Sequence, residues 1–217
     1  KTLLSQIEVE LQQQVSRLDN PRTKLFHEML TYHMGWTGEG AGPEATGKRI
    51  RPLMVLLCTS ACGADWQPAL PAAASVELVH NFSLVHDDIQ DDDRERRHRP
   101  TVWSLWGKPQ AINAGTAMRM LAGTAVRRVN APLSTRTFIQ SQIDEATVSI
   151  VEGQYLDIAY ENRFDITSGD YLTMIGRKTG ALIACALEVG AALATDDQTV
   201  LAGFRELLEL RDARALG

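Results

Sequence analysis

The chain has 217 residues and a formal net charge of -5, with 44% hydrophobic and 23% charged residues. This composition is ordinary for a globular protein and argues against disorder. The acidic balance gives no reason to expect a nucleic-acid partner. The length is most simply that of one domain over residues 1–217, which is long enough to bury a sizeable core.

Cysteine usage and apolar stretches bear on the cellular location. The sequence has three cysteines, which are Cys58, Cys62 and Cys185. No His or Cys partners stand at zinc-ligand spacing from them, so we expect reduced thiols in a cytoplasmic protein. The most apolar stretch, residues 181–194, is interrupted by Glu188 and is too short for a transmembrane segment. No signal peptide opens the sequence, and without an initiating Met we expect Lys1 not to be the natural first residue.

Taken in chain order, the predicted elements are helices. Apolar residues recur at intervals of three and four in seven segments, which are residues 3–18, 53–62, 72–89, 111–129, 138–158, 171–193 and 200–210. This period predicts amphipathic helices. Gly and Pro cluster in the breaks, and Thr167 followed by Asp170 resembles a capping box at a helix start. No segment alternates like a strand. The sequence therefore predicts an all-α, single-domain helical bundle.

Acids and bases meet in "LVHDDIQDDDRERRHRPT", residues 84–101. The helix leading into this stretch carries one polar face, which consists of Glu77, His80, Asn81, Asp87, Asp88 and Asp91. Asp87 and Asp91 are four apart, so about 6 Å separates their Cβ atoms on a helix. Two carboxylates this close repel unless a cation lies between them, and oxygen ligands at this spacing suit Mg2+. Arg96 and Arg97 follow within two turns and are suited to bind phosphate oxygens.

The alternative interpretation is a solvated surface, which is the usual nature of an acidic run at a helix end. It holds for Asp92 and Asp93, which lie off the polar face. For the other aspartates it is less favoured, because the run follows an apolar helix, leads into arginines and is matched by basic residues elsewhere.

One of those basic segments is "GKRIRP", residues 47–52, which ends a Gly-rich loop before an apolar helix. Lys48 and Arg51 are three apart, so a turn would direct both side chains to one anion, and Pro52 suits a first helical position. A basic turn by itself is usually just exposed. His80 lies on the polar face, where a lone His is more often an interior hydrogen-bonding group than a ligand.

Polar residues also interrupt two apolar helical segments further along. Lys178 and Thr179, in "GRKTG", lie in a largely apolar helix, so the lysine is either snorkelling or facing a polar cavity. Gln154 and Asp157, in "EGQYLD", either form core hydrogen bonds or line such a cavity.

These motifs in this order resemble the trans-isoprenyl diphosphate synthases, in particular the short-chain farnesyl and geranylgeranyl diphosphate synthases. "DDIQD" with "RERRHRPT" is similar to the family's first aspartate-rich motif and its arginine pair. "GKRIRP", "ELVHNFSLVHDD", "EGQYLDI" and "RKTGALI" are similar to further signatures. The resemblance implies a helical bundle of the isoprenoid synthase type with a central active-site cavity.

The resemblance also implies a role for each matching residue. Asp87 and Asp91 would ligate the Mg2+ that holds an allylic diphosphate, with Asp88 nearby as a further metal residue. The side chains that contact the allylic diphosphate would be Arg96, Lys178 and Thr179. Those that bind isopentenyl diphosphate would be Lys48, Arg51, His80 and Arg97. Asp87, Asp91 and Lys178 would be catalytic.

The implied activity is that of a head-to-tail prenyltransferase, usually a homodimer. It ionises an allylic diphosphate with Mg2+, condenses the cation with isopentenyl diphosphate and loses a proton to the released diphosphate. Phe82 and Ser83, the fifth and fourth residues before Asp87, would set product length. An aromatic residue at the fifth position resembles geranylgeranyl synthases of the archaeal type, so we expect a C20 product, with C15 next.

The sequence departs from the family in one respect, because the second aspartate-rich motif is absent. One interpretation is an enzyme with residues missing here, near 129–130 or after Leu207, so that the domain is incomplete on its C-terminal side. Arg211 and Asp212 are no credible replacement for the motif. The other interpretation is a non-catalytic subunit of the same fold that binds a catalytic partner. A terpene cyclase or squalene-type synthase is a weaker third, since these would not be expected to keep the basic loop and the arginine pair together.

Overall fold

The computed structural model describes residues 2–197, 199–201 and 203–204, and this part of the chain is built almost entirely of helices. Its ten α-helices are α1 (Leu3–Val15), α2 (Lys24–His33), α3 (Pro43–Thr46), α4 (Ile50–Ala61), α5 (Leu70–Gln90), α6 (Val102–Trp106), α7 (Lys108–Val126), α8 (Leu133–Tyr160), α9 (Ser168–Ile175) and α10 (Ala181–Ala192). The described residues also form three single turns of 3-10 helix and a five-residue π-helix, Gly176–Gly180. The prediction of an all-α fold is confirmed.

The chain forms two compact units, each made of two stretches of sequence. The first unit comprises residues 1–53 and 73–128, and it contains the basic loop, the aspartates and the arginine-rich stretch. The second unit comprises residues 54–72 and 129–217, and it contains Lys178 and Thr179. One domain over the whole chain stays a prediction.

The first unit is built around the apolar face of α1. Ile7, Leu11 and Val15 follow at four-residue steps and are fully or almost fully buried, and α1 packs against α2 and α7. Glu10 and Gln14 are also buried on α1, where the amide Nε2 of Gln14 donates to Oε1 of Glu10 over 2.5 Å. The hydrogen bond offsets part of the cost of burying this polar pair, although Oε1 of Gln14 has no partner.

The sequence prediction of no strand is wrong in one short segment. Strands β1 (Glu95–Arg96) and β2 (Arg99–Pro100) form an antiparallel hairpin in which Arg96 is paired with Arg99. The two residues between them, Arg97 and His98, have φ angles of 54° and 60°. A two-residue loop with both φ angles positive matches the right-handed twist of a hairpin. Each strand has only two residues, too few for an alternating pattern to be recognised in the sequence.

The second unit consists mainly of α8 packed against α9, the π-helix and α10. The capping box at α9 is confirmed, because Thr167 and Asp170 each accept from the other's backbone N–H. The predicted helix 171–193 is interrupted by the π-helix, which approaches α8 closely at Gly153. A Cβ on Gly153 would overlap the backbone nitrogen of Lys178. Glycine at this position therefore allows the two backbones to meet.

The remaining helix predictions differ from the structure mostly at the ends. Helices α2, α3 and α6 were not predicted, since they are short and fall next to Gly- and Pro-rich breaks. Pro52 occupies the third residue of α4 and not the first. Residues 199–201 and 203–204 are helical, whereas the rest of the predicted helix 200–210, Leu207, Arg211 and Asp212 lie outside the described residues. Within the described part, no helix is both long and apolar enough to cross a membrane.

The turn of the hairpin generates a stability prediction. His98 is exposed and adopts a left-handed backbone conformation, which costs a residue with a Cβ about 1 kcal/mol that glycine does not lose. We expect His98→Gly to raise the free energy of unfolding by up to about 1 kcal/mol in urea titrations. The matched control is Glu95→Gly on the adjacent strand. Glu95 has no positive φ, so this substitution should lower the free energy of unfolding. A lower stability for His98→Gly would contradict the assigned turn.

Candidate active site

Two aspartates share one side of the C-terminal end of α5. The backbone N–H of Asp91 donates to the carbonyl oxygen of Asp87 over 2.8 Å, so the helical hydrogen-bond pattern continues through Asp91. Asp87 is half-buried and Asp91 is exposed. Among the described residues no cluster of three or more His, Cys, Asp or Glu side chains could hold a metal ion. A pair of carboxylates still fits Mg2+, which commonly takes one or two protein carboxylates and completes its shell with water and phosphate oxygens.

Asp88 differs from both neighbours. Its side chain is 2% exposed, and its Oδ1 accepts a hydrogen bond from Nε of Arg96 over 2.6 Å. Burial raises the pKa of Asp88, and the guanidinium of Arg96 acts in the opposite direction. One oxygen of Asp88 is therefore used to fasten the hairpin to the end of α5. Asp92 and Asp93 are exposed, as the sequence predicted.

Arg99 is a structural residue that the sequence did not distinguish from its neighbours. It is 6% exposed, and its guanidinium donates to the carbonyl oxygens of Tyr32, Thr37 and Glu39 over 2.6–2.9 Å. The guanidinium also lies 4.0 Å from the centre of the Tyr32 ring, a cation–π contact. Arg99 therefore ties the hairpin to the loop after α2, and a single sequence shows no signal for this role.

Arg97 extends from the hairpin turn across the basic loop. Its Nη1 donates to the carbonyl oxygen of Ala45 over 2.8 Å. A Cβ on Gly47 would lie 2.7 Å from Nη2 of Arg97, and Gly47 has a φ of 79°. The positive backbone angle therefore favours glycine at the first position of "GKRIRP", and a side chain there would also displace the Arg97 guanidinium.

The basic loop, α5 and the hairpin surround a cavity of about 380 Å3 in the first unit. The lining includes all four residues that the resemblance assigns to isopentenyl diphosphate, which are Lys48, Arg51, His80 and Arg97. Arg49 also lines it, together with Glu44 and Glu77. The cationic side chains outnumber the carboxylates, so the cavity suits an anion.

Arg51 and His80 contact each other in this cavity. Nη1 of Arg51 lies 3.3 Å from Nε2 of His80. Because a guanidinium can only donate, the imidazole must accept at Nε2 and carry its proton on Nδ1. Burial, followed by the charges of Arg51 and Arg97, lowers the pKa of His80 to about 2. His80 is therefore neutral at physiological pH.

Arg49 is the least exposed cation of the loop, at 4%. Its guanidinium donates to Oε1 of Glu8 over 2.6 Å, to Oε1 of Glu77 over 2.8 Å and to the carbonyl oxygen of Met34 over 3.2 Å. Burial opposes its charge, but the two glutamates outweigh burial and raise the pKa of Arg49. Glu77 also accepts from the amide of Asn81 over 3.1 Å. On α5, Glu77 thus compensates the buried charge of Arg49, and Asn81 holds Glu77 in place.

The two residues predicted to control product length lie one turn before the aspartates on α5. Phe82 is 8% exposed, and its ring meets the ring of His86 edge to face at a centroid distance of 5.0 Å. Ser83 is half-buried and donates to the carbonyl oxygen of His80 over 2.8 Å.

Lys178 and Thr179 belong to the π-helix of the second unit. The ammonium of Lys178 donates to Oδ2 of Asp157 on α8 over 2.5 Å, and it is half-buried in this pair. Thr179 is exposed, and Gln154 is buried on α8. Lys178 and Asp157, from two separate sequence motifs, are thus brought together within this unit.

Comparison with known proteins identifies the family to which the sequence and the fold are similar. The sequence matches the polyprenyl synthetase family over residues 42–210. It is 44% identical over 192 residues to the (2E,6E)-farnesyl diphosphate synthase of Mycobacterium tuberculosis, a match covering 88% of this chain and 52% of that protein. It is 37% identical over 180 residues to the geranylgeranyl diphosphate synthase of the same species, covering 81% and 51%. The geranylgeranyl pyrophosphate synthetase of Pyrococcus horikoshii superposes with a TM-score of 0.84 at 32% identity, covering 94% and 59%.

These similarities place the fold among the helical isoprenoid synthases. The chain belongs to the polyprenyl synthetase family, which confirms the resemblance drawn from its motifs. It spans about half the length of the curated relatives it matches.

The neutral histidines generate a pH prediction. His80 and His33 have pKa values lowered to about 2 and about 3 by burial and nearby arginines, against 6.5 for a free His. Between about pH 3 and 6.5 the unfolded chain therefore binds protons that the folded chain does not, so stability falls as the pH is lowered through this range. We expect His80→Gln to reduce the slope of unfolding free energy against pH by up to about 1.4 kcal/mol per pH unit. Urea titrations at several pH values measure the slope, and equal slopes for the two proteins would show that folding does not lower the pKa of His80.

Proposed function

We propose that this protein is a head-to-tail prenyltransferase that condenses isopentenyl diphosphate with an allylic diphosphate to give a short-chain prenyl diphosphate. The observation that carries the proposal is the cation-lined cavity, because Lys48, Arg51, His80 and Arg97 reach it from three separate segments of sequence. The names of the matched relatives, farnesyl and geranylgeranyl diphosphate synthases, support the same substrate class.

The chain's own residues would divide the work between the two diphosphates. Lys48, Arg51 and Arg97 bind the diphosphate of isopentenyl diphosphate, with His80 orienting Arg51. Asp87 and Asp91 hold Mg2+, with Asp88 nearby. When bound, the metal supplies charge stabilisation for the departing diphosphate.

In this proposal Arg96 contacts the allylic diphosphate, and the family resemblance implies the same role for Lys178 and Thr179. Their positive charge and hydrogen bonds stabilise the leaving group as its bond to carbon ionises. In this proposal a helix-lined apolar pocket below the aspartates would keep water from the allylic cation. The proton lost after condensation goes to the released diphosphate, so no protein base is required.

We further propose a homodimer located in the cytoplasm. Helix α8 exposes an apolar row consisting of Val148, Val151, Tyr155 and Ile158, which are 41–70% exposed. Their spacing of three and four residues gives one continuous stripe, and such a stripe marks an interaction surface.

The cytoplasmic location is supported by the cysteines. Cys58, Cys62 and Cys185 are free thiols, which suits a reducing compartment.

A turnover assay on the whole protein tests the proposal. It uses labelled isopentenyl diphosphate with an allylic primer, in Mg2+ and in chelator, and the dephosphorylated products are sized. We expect C15 or C20 alcohol only with metal. Asp87→Asn should lower kcat by about 100-fold or more, because it removes a charge from the metal site. Asp92→Asn, an exposed neighbour paired with Lys108, is the control and should change kcat little. No product with diphosphate binding retained would favour the non-catalytic subunit.

Product length is tested separately at Phe82. We propose that its buried ring closes the pocket below the aspartates and limits the product to C20 or C15. Phe82→Ala should therefore lengthen the product by at least one five-carbon unit, which chromatography of the dephosphorylated alcohols measures. Val79→Ala also truncates a buried side chain of α5 and should leave product length unchanged. An unaltered distribution for Phe82→Ala would show that the ring is not the floor.

A further inference from the structure

Arg49 lies between two residues that line the candidate diphosphate cavity, but its own guanidinium is turned to interior carboxylates. Its backbone has a φ of 49°, an uncommon conformation for a residue with a Cβ. Helix α4 starts at the next residue, Ile50. The direction in which Lys48 and Arg51 leave the backbone therefore depends on how this left-handed residue is held.

Glu8 holds Arg49 from a distant part of the sequence. The carboxylate of Glu8 uses both oxygens, since Oε1 accepts from Nε of Arg49 over 2.6 Å and Oε2 accepts from Nε1 of Trp36 over 2.8 Å. Glu8 lies on α1 and is not among the residues that line the cavity. It therefore acts on the cavity through Arg49.

We infer that Glu8 is a positioning residue for the diphosphate cavity, which it shapes by anchoring Arg49 between Lys48 and Arg51. This inference rests on the proposed function of the cavity as the isopentenyl diphosphate site. Trp36 completes the anchor by fixing the second oxygen of Glu8. The arrangement gives α1 a role in substrate affinity although it supplies no residue to the cavity lining.

Removal of the Glu8 carboxylate changes anion affinity in opposite directions, depending on whether Glu8 acts through its charge or by positioning Arg49. If the carboxylate acted only through its charge, its removal would leave more positive potential near the cavity and tighten the binding of an anion. If it anchors Arg49, its removal lets the loop move and weakens binding, because small displacements of binding groups have large effects. The direction in which the affinity changes therefore distinguishes an effect of charge from an effect of position.

The experiment compares the calorimetric affinity for isopentenyl diphosphate, which does not react without an allylic primer, in the parent protein and three variants. Glu8→Gln should weaken binding by about tenfold or more. Trp36→Phe keeps every charge and an aromatic ring while it removes the hydrogen bond to Glu8, so it should weaken binding by a smaller factor of about three. The control is Glu10→Gln, since Glu10 is a buried carboxylate on the same helix, bonded to Gln14, and it should change binding less than about twofold.

Two results would overturn the inference: unchanged or tighter binding by Glu8→Gln, or equal losses for Glu8→Gln and Glu10→Gln. Thermal unfolding of each variant shows whether it is folded at the temperature of the measurement. If Glu8→Gln does not fold, Trp36→Phe decides, and binding equal to that of the parent overturns the inference.

Failure of the proposed function gives a separate result. It would appear as no binding of isopentenyl diphosphate by the parent protein, whatever the variants do. In that case an NMR measurement of the contact between the His80 imidazole and the Arg51 guanidinium decides on the anchor, because Nη1 of Arg51 lies 3.3 Å from Nε2 of His80. Loss of the Glu8 charge alone would leave this contact in place, whereas movement of Arg51 would break it. Loss of the contact in Glu8→Gln supports the inference, and its retention overturns it.

Discussion

The arrangement around the cavity depends on one buried positive charge. A guanidinium that is 4% exposed loses most of its hydration, and this cost is offset only when carboxylates and carbonyl oxygens take its N–H groups. Glu8 and Glu77 provide this from helices far apart in the sequence, and Met34 adds a carbonyl. Helices α1, α2 and α5 are thereby joined at the residue that separates Lys48 from the start of α4.

The arginine-rich stretch is largely structural, although its density of charge first indicates a ligand site. Arg99 donates to the carbonyl oxygen of Tyr32 in the last turn of α2 and to those of Thr37 and Glu39 in the loop that follows. Arg94 lies over the ring of Trp103, and Arg96 is bound to Asp88. Arg97 both donates to the carbonyl oxygen of Ala45 in α3 and lines the cavity. The hairpin is therefore fastened at several points, which would hold its cations in place before an anion arrives.

The sequence predicted the helical class, most of the long helices and the four residues that meet in the cavity, because these depend on local period and on motifs. It missed the hairpin, whose two-residue strands are too short to carry a pattern. It also missed Glu8, since nothing local distinguishes this residue from the acids that an amphipathic helix usually turns to solvent. The role of Arg99 was hidden for the same reason, because only the fold brings the loop carbonyls to it.

The neutral state of His80 explains why an imidazole suits the position beside Arg51 better than an acid would. A carboxylate there would pair with the guanidinium and reduce the positive potential available to an anion. A neutral imidazole accepts one N–H of Arg51 and fixes its orientation while leaving its charge uncompensated. Burial and the cations around His80 hold its pKa low, so the same charges that would attract an anion also keep the imidazole beside Arg51 neutral.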